Sequence, residues 1–159
     1  MKVLFVCLGN ICRSPLAEAI FHHKIKEKGL EKRFEVDSCG TANYHIGDYP
    51  DSRTIKNALK NGIEINHLGR QLSFMDIENH DLIIPMDRSN YHSILQLESA
   101  SRFIENIHLM REFDTVEKGS DVPDPYHGYE QDFQKVFEIL DRSVEGLISY
   151  LQICDELKN

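Results

Sequence analysis

The sequence lacks the cysteine and histidine patterns that mark two common protein classes. Its four cysteines, Cys7, Cys12, Cys39 and Cys154, are too few and too unevenly spaced for a disulfide framework, and none form a Cys-x-x-Cys zinc pair. Its eight histidines show no ligand spacing. We therefore expect reduced thiols and no bound metal.

Long apolar runs and an excess of positive charge are also missing. The apolar run at residues 3–8 is too short for a signal segment or a membrane span, so we expect no membrane insertion and a cytoplasmic location. A net charge of −8 argues against a general nucleic-acid partner, which would need a basic face. One phosphate can still bind, because a local group of N–H donors and one arginine outweighs distant, screened charges.

The sequence does contain a regular alternation of strand and helix patterns over a single domain, residues 1–159. Short apolar runs predict strands at residues 3–6, 34–38, 81–86 and 106–110. Helical spacing predicts helices at residues 14–28, 88–98 and 129–157. A further helix is predicted to begin after an N-cap at Asp51 or Ser52 and to end at Gly62. This order predicts an α/β fold: a four-stranded parallel sheet in the order 2-1-3-4, flavodoxin-like, with helices on both faces.

The loop between the first strand and the first helix, residues 7–13, carries the first chemical signal. It begins with Cys7, ends with Arg13, and contains Gly9, where the backbone can approach a ligand closely. A cysteine that faces a helix start and an arginine is expected to be ionised at neutral pH, and a thiolate beneath a bound phosphate can attack phosphorus. The loop therefore predicts phosphoryl transfer through a phosphocysteine. The alternative is an ordinary first strand with a buried, inert Cys7.

A second chemical signal is Asp124, which lies between Pro123 and Pro125. The two proline rings stiffen the loop and bias Asp124 toward an extended backbone, so its carboxyl group can be presented at a fixed geometry. Such a carboxyl group can protonate the leaving oxygen and later activate water. The alternative is a solvated Asp-Pro turn, which residue types alone favour.

The segment Cys-Leu-Gly-Asn-Ile-Cys-Arg-Ser-Pro at residues 7–15 closely resembles the signature of the low-molecular-weight protein tyrosine phosphatases. Asp124-Pro125-Tyr126 is a second match, and the resemblance extends over nearly the whole chain. It implies hydrolysis of phosphotyrosine in proteins, or of small aryl phosphates, without a cofactor. It also implies binding of inorganic phosphate and oxyanion inhibitors.

The resemblance implies a role for each catalytic residue. Cys7 would be the nucleophile, Arg13 the phosphate ligand and Asp124 the acid and base. Ser14 would donate a hydrogen bond to the Cys7 sulfur, or simply cap the first helix. The residues between Cys7 and Arg13 would hold the phosphate: Leu8, Gly9, Asn10, Ile11 and Cys12.

Substrate walls are also implied by the resemblance. Ile11, Tyr44 and Tyr126 occupy the positions that would sandwich a phosphotyrosine ring. His127 follows Tyr126 where many relatives carry a second tyrosine, which is a departure from the family pattern.

The same resemblance implies a network that supports the loop. Asn10 can adopt the left-handed conformation inside the loop, with its side chain held by Ser38 and His67. Asp87 resembles the family residue that pairs with His67.

A second thiol in the loop predicts redox control. Cys12 could trap an oxidised Cys7 as a disulfide and so prevent irreversible oxidation of the nucleophile.

Two other functions compete with a phosphotyrosine phosphatase. An arsenate reductase of the same fold would need two further cysteines, and none occurs between Cys39 and Cys154. A phosphate- or phosphopeptide-binding module, or a phosphocysteine carrier, would have no use for an acid at Asp124.

Overall fold

Strand β1 (Lys2–Cys7) lies at the centre of the fold, because its side chains alternate between two apolar cores. Val3 and Phe5 pack into the larger core, and Leu4 and Val6 pack into the smaller one. Alternation along a strand that is buried on both faces is typical of a parallel sheet covered by helices on either side.

The computed structural model describes residues 1–156. Strands β2 (Glu35–Gly40) and β3 (Leu82–Pro85) pair in parallel with β1 on its two sides, giving the order β2-β1-β3. The helices are α1 (Arg13–Glu27), α2 (Ser52–Lys60), α3 (Phe74–Asn79), α4 (Arg88–Leu95) and α5 (Glu130–Glu156). Short 3-10 helices lie at Ala100–Asn106 and Met110–Phe113. The predicted α/β fold with a parallel sheet is confirmed.

Helices cover both faces of this sheet. Apolar residues of α1 and α5 fill the larger core, and those of α3 and α4 fill the smaller one. The apolar residues whose helical spacing predicts α5 form one stripe that is buried along its whole length: Phe133, Val136, Phe137, Leu140, Val144, Leu147, Ile148 and Leu151. None of the helices within residues 1–156 has the length and apolar content to cross a membrane.

The predicted fourth strand at residues 106–110 is wrong: the sheet within the described residues has three strands. Only an isolated bridge joins Ile107 to Ile83 there. Two local causes stop the ladder. Pro85 has no N–H to donate to this segment, and the chain enters a 3-10 helix at Met110, where the N–H of its N-cap Leu109 donates to Glu112 Oε1 (3.0 Å).

The first helix begins one residue earlier than predicted. Its first residue is Arg13 and its N-cap is Cys12, which makes no side-chain capping bond, so Ser14 lies inside the first turn and is not the cap. At α2 the predicted cap is confirmed, since Asp51 Oδ1 accepts the N–H of Arg53 (2.9 Å). The predicted end of the last helix at Leu157 falls outside the described residues.

Candidate active site

The loop at residues 7–13 leaves the carboxyl end of β1 and enters α1 directly. Cys7 is buried, and its sulfur lies 3.0 Å from Ser14 Oγ and 3.3 Å from the backbone nitrogen of Asn10. Ser14 Oγ accepts a bond from Asn10 Nδ2 (2.8 Å), so its own hydrogen can point at the sulfur, with the more distant carbonyl of Cys39 (3.4 Å) as its other acceptor. Two donors therefore converge on Cys7 Sγ, an arrangement that favours negative charge there.

Arg13 is buried at the start of α1 and is held by three acceptors. Its Nη1 donates to Asp87 Oδ2 (2.6 Å) and to the carbonyl of Val122 (3.0 Å), and its Nη2 lies 3.3 Å from Asp124 Oδ2. Burial alone would lower the pKa of Arg13, but the negative charges of Cys7, Asp87 and Asp124 outweigh it and the net shift is upward. The guanidinium is a fixed cation beside the sulfur.

Asp87 orients this cation. As the N-cap of α4 it accepts the N–H of Asn90 through Oδ1 (2.7 Å), which leaves Oδ2 for Arg13. A carboxylate anchored in this way fixes the direction of the guanidinium fork.

Asp124 approaches the same cation from the loop before α5. Its side chain is 43% exposed, Oδ1 accepts the N–H of Tyr126 (3.1 Å), and Oδ2 faces Arg13. The carboxyl group is thus held by its own loop and stands at the opening of the cleft.

The amide of Asn10 ties the loop to the surrounding strands. Asn10 has a φ of 57°, the left-handed conformation, and its Nδ2 donates to Ser14 and to Ser38 Oγ (3.0 Å). Its Oδ1 accepts bonds from His67 Nε2 (2.7 Å) and from the N–H of Arg70 (3.0 Å). All four bonding positions of this amide are used, so its orientation is fixed.

The expected pair of Asp87 with His67 does not form in the described structure, since Asp87 contacts Arg13. The carboxylate beside His67 is Glu18 on α1, with Oε2 3.1 Å from His67 Nδ1 and 2.7 Å from Ser38 Oγ. The physical reason is topological: Asp87 follows β3 on the Arg13 side of the loop, whereas Glu18 lies one turn beyond Ser14 on the same helix.

A cleft of about 330 Å³ opens above the loop. The predicted walls Ile11, Tyr44, Tyr126 and His127 all line it, together with Cys7, Arg13 and Asp124. Tyr126 and His127 meet edge to face, with ring centres 5.0 Å apart. The structure therefore brings the predicted nucleophile, cation, acid and aromatic walls to one cavity.

Cys12 also lines this cleft but differs from Cys7 in its surroundings. Burial raises the pKa of the Cys12 thiol to about 12, and nearby negative groups, including Asp51 and Cys7, add to the effect. Cys12 is therefore a neutral thiol at physiological pH.

A metal could be considered at Glu18, Asp37 and His67, whose ligand atoms lie within 4.8 Å of one another. Arg70 already donates to Asp37 Oδ2 through Nε (3.0 Å) and Nη2 (2.7 Å), and Glu18 accepts the Ser38 hydroxyl. A cation would have to displace these donors, so the cluster fits its present role as a hydrogen-bonded support.

Three residues of the site were missed in the sequence. Glu18 carries a charge within an apolar helical run, a signal that marks a buried, paired carboxylate. Gly40 lies opposite Cys7 in the register of β2 and β1, so a strand pairing was needed to find it. His45 lines the cleft and packs on Gly9, and no sequence pattern points to it.

Comparison with known proteins agrees with this geometry. A family model described as low molecular weight phosphotyrosine protein phosphatase matches residues 2–158. The chain belongs to this family. Among its relatives, a low molecular weight phosphotyrosine protein phosphatase of Schizosaccharomyces pombe is 46% identical over 130 residues, which are 80% of this chain and 82% of the relative.

Solved structures of other phosphatases share the fold. A protein tyrosine phosphatase from Entamoeba histolytica is 39% identical with a TM-score of 0.92, and the match covers 98% of this chain and 99% of that one. A drosophila arginine phosphatase is 31% identical with a TM-score of 0.85, covering 95% and 98% of the two chains. The family is thus one of hydrolases, and relatives of this phosphatase are named for different substrates: one is called a tyrosine phosphatase and another an arginine phosphatase.

Proposed function

We propose that this phosphatase hydrolyses phosphotyrosine in proteins, and small aryl phosphates, through a phosphocysteine on Cys7. The observation that carries the proposal is the convergence at one cleft: Asp124 Oδ2 lies 3.3 Å from Arg13 Nη2, in the cavity that Cys7 also lines. A nucleophile, a phosphate ligand and a proton donor are the three groups that this reaction needs.

In the first step, the thiolate of Cys7 attacks phosphorus and forms the S–P bond while the bond from phosphorus to the aryl oxygen breaks. Arg13 binds phosphoryl oxygens, and the start of α1 adds the positive end of its dipole. Asp124 gives its proton to the departing phenoxide, so the leaving group departs as a neutral phenol.

In the second step, water attacks the phosphocysteine and the S–P bond breaks. The Asp124 carboxylate takes a proton from the water, and phosphate leaves. Cys7 departs as a thiolate, which the Ser14 hydroxyl and the Asn10 N–H stabilise from 3.0 and 3.3 Å. No metal enters either step. We expect the enzyme to work in the cytosol, where Cys7 stays reduced.

Phosphoarginine is a second candidate substrate. The likeness to the drosophila arginine phosphatase favours it, and the walls Tyr44 and Tyr126 could stack on a guanidinium as well as on a phenyl ring.

The test is hydrolysis of p-nitrophenyl phosphate in EDTA by the wild-type protein and by Cys7→Ser, followed by a phosphotyrosine peptide and free phosphoarginine as competing substrates. We expect metal-independent turnover that Cys7→Ser abolishes, with a higher kcat/KM for the phosphotyrosine peptide than for phosphoarginine. Turnover that survives in Cys7→Ser, or that EDTA removes, would contradict the mechanism. A higher kcat/KM for phosphoarginine would mean that phosphoarginine, and not phosphotyrosine, is the preferred substrate, while the proposed mechanism would stand.

A further inference from the structure

Helix α2 (Ser52–Lys60) has a charge opposite to that of the whole chain. The chain has a net charge of −8, with 26 acidic residues against 18 lysines and arginines, yet α2 contains three cations and no acid. Arg53, Lys56 and Lys60 are spaced by three and four residues, so they lie along one face of the helix, and all three are exposed. We call these three residues the basic row.

The basic row begins at the wall of the catalytic cleft. The Arg53 guanidinium carbon lies 5.5 Å from the centre of the Tyr126 ring and 4.7 Å from that of Phe133. Asp51 holds the Arg53 Nε (3.0 Å) and Nη2 (2.8 Å), which fixes the guanidinium against these rings. When the phosphotyrosine of a substrate contacts Tyr126, Arg53 is therefore the cation of the row that lies nearest to the neighbouring substrate residue.

Beyond Arg53 the row borders two grooves. One, of about 200 Å³, lies between Arg53, Lys56 and the turn at Gly128 and Tyr129, and the carboxylate of Glu130, the partner of Lys60, also borders it. The other runs over the exposed side of α2, where Ile55 and Leu59 lie alongside Lys56 and Lys60. A peptide bound along α2 could thus contact charged and apolar side chains that lie next to each other.

Lys56 and Lys60 are the two cations of the row that a ligand can reach most readily, because Arg53 is already paired with Asp51. Among the described residues Lys56 forms no ion pair, although it lies close enough to Glu130 for its charge to help lower the pKa of that carboxyl group. Lys60 pairs with Glu130, but the two side chains are 53% and 70% exposed, and exposed pairs of this kind contribute little and exchange readily.

We propose that the basic row, with Ile55 and Leu59, binds an acidic segment that flanks the phosphotyrosine of a protein substrate. This proposal rests on the proposed function of the cleft. The row spans about 10 Å along the helix, which matches about three residues of an extended peptide. An anionic membrane is the less fitting partner, because a surface with a net charge of −8 is repelled by it outside this one helix.

The experiment compares phosphotyrosine peptides that carry three glutamates on one side, three on the other, or glutamines in their place. We expect the peptide with glutamates on the side that faces α2 to have a kcat/KM about fivefold above the glutamine peptide at low salt, and the difference to vanish in about 1 M NaCl. Each value is divided by the kcat/KM of the same enzyme for p-nitrophenyl phosphate, which removes any general loss of activity.

Two double variants with the same change in net charge provide the control. Lys56→Gln with Lys60→Gln should bring the glutamate-to-glutamine ratio to about one. Lys26→Gln with Lys32→Gln changes exposed lysines near the opposite end of the sheet and should leave the ratio at its wild-type value.

The proposal is overturned if glutamates on either side give no preference, or if the preference persists in the Lys56 and Lys60 variant. If no aryl phosphate is hydrolysed at all, the proposed function fails instead. In that case, binding of labelled acidic peptides to the basic row is measured by fluorescence anisotropy on the Cys7→Ser protein, with and without Lys56→Gln and Lys60→Gln. Binding of phosphatidylserine vesicles through the row, with no peptide preference, would also overturn it.

Discussion

Substitution of Gly40 by alanine tests how closely β2 supports the catalytic loop. Gly40 ends β2 and lies opposite Cys7 in the parallel register. A Cβ atom at this position would stand 2.8 Å from the carbonyl oxygen of Leu8 and 3.1 Å from the backbone nitrogen of Asn10. Ordinary contacts of a Cβ atom begin at 3.4 Å, so the loop would have to retreat by about 0.6 Å. Both contacts are to backbone, so no side-chain rotation can relieve them.

A loop displaced by this distance no longer places the phosphate in line with Cys7. We expect Gly40→Ala to lower kcat/KM for p-nitrophenyl phosphate by about 100-fold, and to weaken inhibition by inorganic phosphate. The unfolding free energy should fall by about 1–3 kcal/mol.

The matched control is Gly62→Ala, which separates stability from catalysis. Gly62 has a φ of +79° and open space around it, so the substitution should cost about 1 kcal/mol of stability through backbone strain and leave kcat/KM unchanged. Urea unfolding and steady-state kinetics on both variants give the comparison. A Gly40→Ala enzyme with wild-type kcat/KM would refute the reasoning that the loop is locked against β2.

Three further predictions concern the acid, the second thiol and a buried ion pair. Asp124→Asn should lower kcat for phenyl phosphate by about 10²–10³-fold, and far less for substrates with better leaving groups, in steady-state assays. Hydrogen peroxide should inactivate the wild type reversibly, with a Cys7–Cys12 disulfide visible by mass spectrometry, whereas Cys12→Ser should not recover with thiols. Asp114 is buried, which alone would raise its pKa, but donors including Arg142 Nε (2.9 Å) hold the pKa well below its ordinary 3.8. Asp114→Asn should therefore cost about 3–5 kcal/mol in urea unfolding at neutral pH, and the difference from wild type should shrink as the pH falls below 3.8.

Local patterns in the sequence were sufficient to predict the parts of the structure that depend on neighbouring residues. The alternation of apolar runs predicted the parallel α/β sheet, and the apolar stripe of α5 is buried as predicted. The loop at residues 7–13 lies between a strand and a helix, as the apolar run before it and the helical spacing after it predicted. Such features follow from backbone preference and burial, which act over a few residues.

Features that depend on contacts between distant segments could not be predicted in the same way. The prediction of a fourth strand failed because Pro85 cannot extend the pairing beyond the bridge of Ile83 with Ile107, and only the register between the two segments shows that Pro85 falls at this point. The carboxylate beside His67 is Glu18, on a helix far away in sequence, so only the packing of α1 on the sheet reveals it. Gly40 is in the same class, since its role depends on the register with Cys7.

The most direct test of the mechanism is to trap the covalent intermediate. In Asp124→Ala, which lacks the base for the second step, rapid acid quenching during turnover of an aryl phosphate should leave a phosphoryl group on the enzyme. Mass spectrometry of the digested protein should locate it on the Cys7 sulfur, and Cys7→Ser should show no burst of phenol release. A phosphoryl group on another residue, or turnover with full phenol release and no labelled Cys7, would contradict the account.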